Sequence, residues 1–188
     1  KNLSLFAAPL FAGKLLYPKV YTSAFEAFLA FSVLSSAAYF FNDLIDAPKD
    51  RAHPIKKNRP IASGKLPVGL AWLIVLILAF GSLLYSYMFI GFYFTLAMVV
   101  YVLIQIAYSL YLRDVIIIDS LVVASGFVLR VFAGGLASNT SISSWLALTT
   151  VGVSLLMAFG KRRSEKTIVQ QFFNSDDIQT RRTLRHYP

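Results

Sequence analysis

NDLIDAPKDRAHPIKKNRPIASG, residues 42–64, lies between two stretches apolar enough to cross a bilayer, and its reading decides what kind of chain this is. It holds three carboxylates, Asp43, Asp46 and Asp50, and five bases, Lys49, Arg51, Lys56, Lys57 and Arg59. Carboxylates at this density suit a hard divalent cation, and the bases suit phosphate oxygens. At a membrane surface the combination points to a diphosphate substrate handled through Mg²⁺.

The flanking composition supplies the membrane. Of 188 residues, 57% are hydrophobic and 14% charged. A soluble domain carries about 25% charged residues, so the chain reads as a membrane protein. Residues 66–112 contain no Lys, Arg, Asp or Glu. A helical span needs about 20 apolar residues, so this run holds two helices and a tight hairpin near Met88 to Gly91. A second uncharged run, 131–160, gives the end of one span and all of another, divided by polar residues around Asn139. The pattern predicts an all-α, polytopic transmembrane helical bundle with helices at about 3–17, 20–41, 68–88, 91–111, 115–136 and 143–160. Residues 42–67 form the loop that carries the chemistry, and residues 161–188 form a basic cytosolic segment beyond the bundle.

The net charge is +9, and its placement tells more than its sign. Lys49, Arg51, Lys56, Lys57, Arg59 and Lys65 lie between spans two and three, Arg113 between four and five, and Lys161, Arg162, Arg163 and Lys166 after six. Alternating spans put all of these on one face, while the other shows only Lys14 and Lys19. Positive-inside bias explains this better than nucleic-acid binding and makes the basic face cytosolic, in the plasma membrane. With no cysteine there is no disulfide, thiolate or Cys-based metal chemistry. The chain starts at Lys1 without a signal-peptide pattern and reads as a trimmed fragment.

Asp43, Asp46 and Asp50 are spaced three and four residues apart, which places them on one face of a helix, and Asn42 and Asp46 form an i, i+4 pair. Oxygen ligands on one stripe hold Mg²⁺ ions that keep some waters and complete their shells with substrate phosphate. Pro48 should kink the helix or end it near Ala47, so Asp50 is expected to approach from the following turn. The plain alternative is a solvated loop capping a hairpin. Three Asp and an Asn in nine residues at the end of a span favour a ligand set.

The stretch Asn42-Asp43-x-x-Asp46-x-x-x-Asp50 resembles the NDxxDxxxD signature of the UbiA-type intramembrane prenyltransferase superfamily. Its continuation through Asp50-Arg51-Ala52-His53-Pro54 and Arg59-Pro60-Ile61-Ala62-Ser63-Gly64 resembles the branch of decaprenyl-phosphate phosphoribosyltransferases. Lys1-Asn2-Leu3, the element from Tyr108 to Arg113, Gly126-Phe127-Val128-Leu129-Arg130 and Gly160-Lys161-Arg162-Arg163-Ser164-Glu165 resemble further elements of that branch. The resemblance implies a bundle of nine helices, of which this chain supplies about six. It also implies substrate-binding roles for Lys1, Asn2, Tyr108, Arg113 and Glu165. Two departures stand out. Arg113 replaces the family's usual Lys, and Lys161-Arg162-Arg163 stands where common prenyltransferases carry a second aspartate-rich DxxxD motif.

Other residues are read on their own chemistry. Asp119 and Arg130 both fall inside span five, on nearly the same face and about 16 Å apart along the axis. Ionisable groups in a span usually face the bundle interior, which makes both substrate-binding candidates. Arg130, near the outer end, also fits snorkelling to the interface. Tyr108 fits an interfacial belt as well as a phosphate contact. His53 fits a turn and a phosphate contact better than a general base, and Glu26 has no assigned role. Arg51, Lys56, Arg59, Lys161 and Arg162 are the candidate phosphate ligands, with anionic-lipid anchoring the alternative for the last two.

The reading that follows is transfer of 5-phosphoribose from a phosphorylated sugar diphosphate donor, 5-phosphoribosyl-1-diphosphate, to a polyprenyl (decaprenyl) phosphate lipid, with release of diphosphate. Asp43, Asp46 and Asp50 are the catalytic carboxylates, and with Asn42 they hold Mg²⁺. One alternative is prenyl transfer from a prenyl diphosphate to an aromatic acceptor, which the missing DxxxD disfavours. Another is a transporter or lipid-binding protein, but transporters place their sites at the midplane, whereas these charges gather at span ends.

Overall fold

The computed structural model describes residues 1–112 and 117–172, with side chains of 161, 162 and 165–172 outside the description. Arg113 therefore lies outside the described residues, as do the side chains of Lys161, Arg162 and Glu165. The described chain is helical: a short 3-10 turn, Asn2–Phe6, runs into α1 (Ala7–Phe11), followed by α2 (Pro18–Arg51), α3 (Val68–Tyr85), α4 (Phe92–Leu110), α5 (Ile118–Ala137) and α6 (Ser144–Phe172).

Among the described residues, four segments are long and apolar enough to cross a membrane: Pro18–Arg51, Val68–Ile90, Phe92–Leu110 and Ile118–Ala137. The first helix, expected over 3–17, ends at Phe11. Gly13 then takes a positive φ, and the extended Tyr17 hands over to Pro18, whose fixed φ suits the first position of the next helix. Ten helical residues rise about 15 Å, half a hydrocarbon core, so this piece packs against α2 and α5 without spanning alone. The apolar part of the sixth helix, Ser144–Gly160, is also short, but α6 continues through the basic residues to Phe172.

The larger difference concerns α2. It was expected to end near residue 41 and to kink or stop at Pro48, but it runs to Arg51 with Pro48 inside it. The acidic motif is thus the last three turns of a membrane helix, and the loop proper is 52–67. Proline in a helix interior costs about 3 kcal/mol through its missing N–H and its clash with the preceding turn. Tertiary contacts offset that cost here. Leu44 and Ala47 pack with Ile61 of the loop and with Ala71 and Val75 of α3. Ile61 is 2% exposed, so the loop folds back and staples the end of α2 to the start of α3.

The hairpin between α3 and α4 falls where the uncharged run predicts it. A π-helical turn, Ser86–Ile90, leads to Gly91 at φ 137°, a conformation that L side chains avoid, and α4 begins at once. The Ser86 and Thr95 hydroxyls, 2.9 Å apart, close the turn. α3 turns most of its surface outward, with Leu76, Ile77 and Phe80 exposed. The core of the bundle is Leu5, Phe31, Leu34, Phe94, Met98 and Tyr101, joined by Ala27 and Ala133 at close approaches.

Candidate active site

The carboxylates gather at one end of the bundle, where α2 and α4 terminate and α3 and α5 begin. Helical spacing puts Asp43, Asp46 and Asp50 on one stripe of α2. Asp46 is 9% exposed and Asp50 4%, whereas Asp43 lies nearer the surface. Arg59 reaches across from the loop, and its Nη1 donates to Asp43 Oδ1 at 2.9 Å and to Asp50 Oδ2 at 2.8 Å. Its reach is set by the loop anchor: Ile61 and Ala62, two and three residues on, are buried against α2 and α3, while Ser63 N–H donates to the Arg59 carbonyl.

Asp46 is held differently. Asn42 Nδ2 donates to Asp46 Oδ2 at 3.2 Å, and Ser109 Oγ of α4 donates to Asn42 Oδ1 at 3.2 Å. This chain of bonds fixes the Asn42 amide and presents its donor side to the carboxylate. Ser109, 5% exposed, is a positioning residue that motif reading passed over, although it belongs to the quoted element running from Tyr108 to Arg113. Tyr108 is partly buried one residue earlier, at the C-terminal end of α4.

The remaining bases of the loop are open to solvent. Arg51 and Lys56 are exposed. His53 Nδ1 accepts the backbone N–H groups of Ile55 and Lys56, so the imidazole shapes the turn. Burial, then the neighbouring Lys56 ammonium, lowers the His53 pKa below its ordinary value, favouring the neutral ring that these bonds require. Asp119 is fully buried in the first turn of α5, accepting from Ser120 Oγ at 3.1 Å.

Arg130, Asn2 and Lys1 lie elsewhere. Arg130 does not snorkel: it is 4% exposed, inside the bundle. Its Nε donates to Asn2 Oδ1 at 2.7 Å, and its Nη atoms donate to the Gly126 carbonyl, Tyr101 Oη and Ser35 Oγ. Its guanidinium also stands 4.8 Å from the Tyr101 ring centre and 5.2 Å from that of Phe31. Asn2 in turn donates to Ser32. Ser35 is eight residues before Asp43 on α2, and Tyr101 eight before Ser109 on α4, so this layer sits about 12 Å below the carboxylates. A buried guanidinium must satisfy its donors, and these neutral partners do so while clasping the N-terminal segment to three helices. Lys1 is exposed, with its ammonium 5.8 Å from the Phe127 ring centre. The structure therefore unites Asn42, Asp43, Asp46, Asp50 and Arg59 in one site and places Asn2 and Arg130 in a deeper layer, while Lys1 is exposed.

The upper site suits Mg²⁺ by donor chemistry. Its donors are hard oxygens, and a single cationic nitrogen already sits between the oxygens of Asp43 and Asp50. Among the described residues no three acidic or histidine side chains are grouped so that they could hold a metal ion between them. Mg²⁺ is usually bound by one or two carboxylates plus waters and substrate phosphates, so an open set of this kind fits it.

The fold and the site define a polytopic membrane bundle with an acidic motif at one end. The model of the UbiA prenyltransferase family matches residues 3–161, and the chain belongs to that family. It is 37% identical to a decaprenyl-phosphate phosphoribosyltransferase of Mycolicibacterium smegmatis, over 91% of this chain and 55% of the relative. The corresponding proteins of Mycobacterium tuberculosis and Corynebacterium glutamicum are 36% and 38% identical, over 91% and 88% of this chain and 58% and 51% of theirs. The chain spans about half the length of these curated relatives.

Proposed function

We propose that the protein transfers 5-phosphoribose from 5-phosphoribosyl-1-diphosphate to a polyprenyl phosphate of the decaprenyl class, at the cytosolic face of the plasma membrane. The observation that carries this reading is the identity of 36–38% to phosphoribosyltransferases, extending along about nine-tenths of the chain and through the acidic site. Asp43, Asp46 and Asp50, with Asn42, would hold Mg²⁺. Bound there, the ion would neutralise charge on the leaving diphosphate. Arg51, Lys56 and Arg59 line the same end and supply donors for phosphate oxygens. A lipid phosphate oxygen forms the new bond to the sugar C1 as the bond from C1 to diphosphate breaks. The nucleophile comes from the acceptor, and the protein's task is to position and stabilise charge.

The donor's 5-phosphate distinguishes this reaction from prenyl transfer, because it adds a second anionic centre. Lys161 and Arg162 stand where a second acidic motif would serve prenyl transfer, and we assign them to that phosphate. Charge-assisted hydrogen bonds contribute about 1.5–3 kcal/mol each. Lys161→Ala and Arg162→Ala in the full-length protein should weaken donor affinity about tenfold or more, roughly 1.4 kcal/mol, with much less effect on polyprenyl phosphate. Calorimetric titration of both substrates tests this. Equal losses for the two substrates, or none for the donor, would contradict it.

The sidedness has its own test. Ser63 and Ser164 are both exposed. Cysteines placed there should react with a membrane-impermeant thiol reagent only from the cytosolic side. Labelling of the two from opposite faces would overturn the orientation.

A further inference from the structure

We infer that Arg59 is an internal counter-cation that occupies the divalent-cation seat and leaves it when the metal binds, so that the site carries its own latch. This inference rests on the metal reading above and deepens it. One guanidinium nitrogen lies 2.9 Å from Asp43 Oδ1 and 2.8 Å from Asp50 Oδ2, between carboxylates seven residues apart on one helix stripe. That is where a cation shared by the two carboxylates would sit, and the nitrogen and a metal cannot both hold it.

The two ends of the contact differ in exposure. The Asp50 side chain is 6% exposed on a packed helix, whereas the Arg59 side chain is 37% exposed on the loop. The Asp43 end of the pair is open to solvent and contributes little to stability, whereas the Asp50 end is buried and holds the guanidinium more firmly. The loop backbone need not move far, because Ile61 and Ala62 anchor it, and rotation about the long Arg59 side chain is enough to clear the seat. Released, the planar fork would remain on the loop, free for two parallel bonds to diphosphate oxygens. Arg59 would thus hold the carboxylates together without metal and serve the anion once the metal is in. Asp43 and Asp50 are like-charged neighbours on one stripe, and the guanidinium between them screens their repulsion.

The latch has a signature that a static structural arginine lacks. Removing it takes a positive charge out of the seat and should raise affinity for the metal alone, whereas removing a structural strut should lower it. Mn²⁺ serves as the probe, titrated into the full-length protein in detergent and followed by its paramagnetic resonance, with no phosphate present. Arg59→Gln should bind Mn²⁺ about tenfold tighter than the parent. Arg59→Lys, which keeps the charge but not the fork, should fall between and covers the case in which the Gln variant misfolds. Lys57→Gln, an exposed neighbour, should change affinity less than about twofold, which separates the latch from general charge. Equal or weaker Mn²⁺ binding by both Arg59 variants would overturn the latch and leave the metal reading standing. No bound Mn²⁺ in the parent or any variant would overturn both.

Discussion

Asp46→Asn in the full-length protein should abolish turnover while leaving the protein folded and membrane-inserted. The substitution is nearly isosteric and keeps the residue on α2, where Asp46 is 9% exposed and receives the Asn42 amide. What it removes is the charge, together with one oxygen that a divalent cation would use. The Asn42 and Ser109 pair shows that the fold invests two further side chains in orienting this carboxylate. Loss of partners that merely orient a ligand costs about 10–100-fold in metal affinity or activity, so loss of the ligand charge should exceed that range. Turnover measured beside circular dichroism and gel filtration separates chemistry from folding. Asp43→Asn should behave alike, although Arg59 would lose one partner as well. Near-normal turnover of either variant at moderate Mg²⁺ would remove the carboxylates from the mechanism.

Gly134→Ala should be the most damaging single change outside the site. A Cβ built at Gly134 would lie 1.9 Å from the Leu5 carbonyl oxygen, 2.7 Å from its carbon and 2.9 Å from its Cα. These are backbone atoms, so no side-chain rotation relieves the clash. Either α5 bends or the N-terminal segment lifts off, and the second route undoes the burial of Leu5 and the bond from Arg130 to Asn2. Overpacking of this sort costs about 1–3 kcal/mol, and a stranded buried guanidinium adds to it. Thermal unfolding in detergent should show a drop of several degrees or more, with the first residues becoming sensitive to protease. Gly152→Ala is the matched control, since its Cβ would meet nothing within 4 Å and alanine favours the helix. If both variants unfold alike, the close approach at Gly134 is unimportant.

Much of this architecture was legible before any geometry. Uncharged runs delimited the membrane helices, and the hairpin at Gly91 followed from arithmetic on span length. The placement of Asp43, Asp46 and Asp50 on one helix stripe followed from their spacing. Three things were not legible, each for a physical reason. The end of α2 was set too early because a local rule, proline as helix breaker, was overridden by the packing of Ile61, a contact between residues far apart in sequence. The pairing of Arg59 with Asp43 and Asp50 depends on a loop folding back, which periodicity does not encode. Arg130 looked like an interfacial snorkel because its partners, Asn2, Ser35 and Tyr101, are neutral and scattered along the chain, so no charge pattern announces the clasp.

The clasp and the site also divide labour by depth. The guanidinium layer about 12 Å below the carboxylates ties the N-terminal segment, α2, α4 and α5 together, and the upper ends of α2 and α4 carry the Asn42 and Ser109 contact.

The central claim is phosphoribosyl transfer at this acidic site. Its most direct test is to incubate the full-length protein in detergent with ribose-labelled 5-phosphoribosyl-1-diphosphate, Mg²⁺ and polyprenyl phosphate, then extract the lipid. Label should appear in the lipid fraction only when Mg²⁺ and polyprenyl phosphate are both present, with an equal amount of diphosphate released. An enzyme that leaves the labelled sugar untouched, and instead consumes a prenyl diphosphate with an aromatic acceptor, would contradict it.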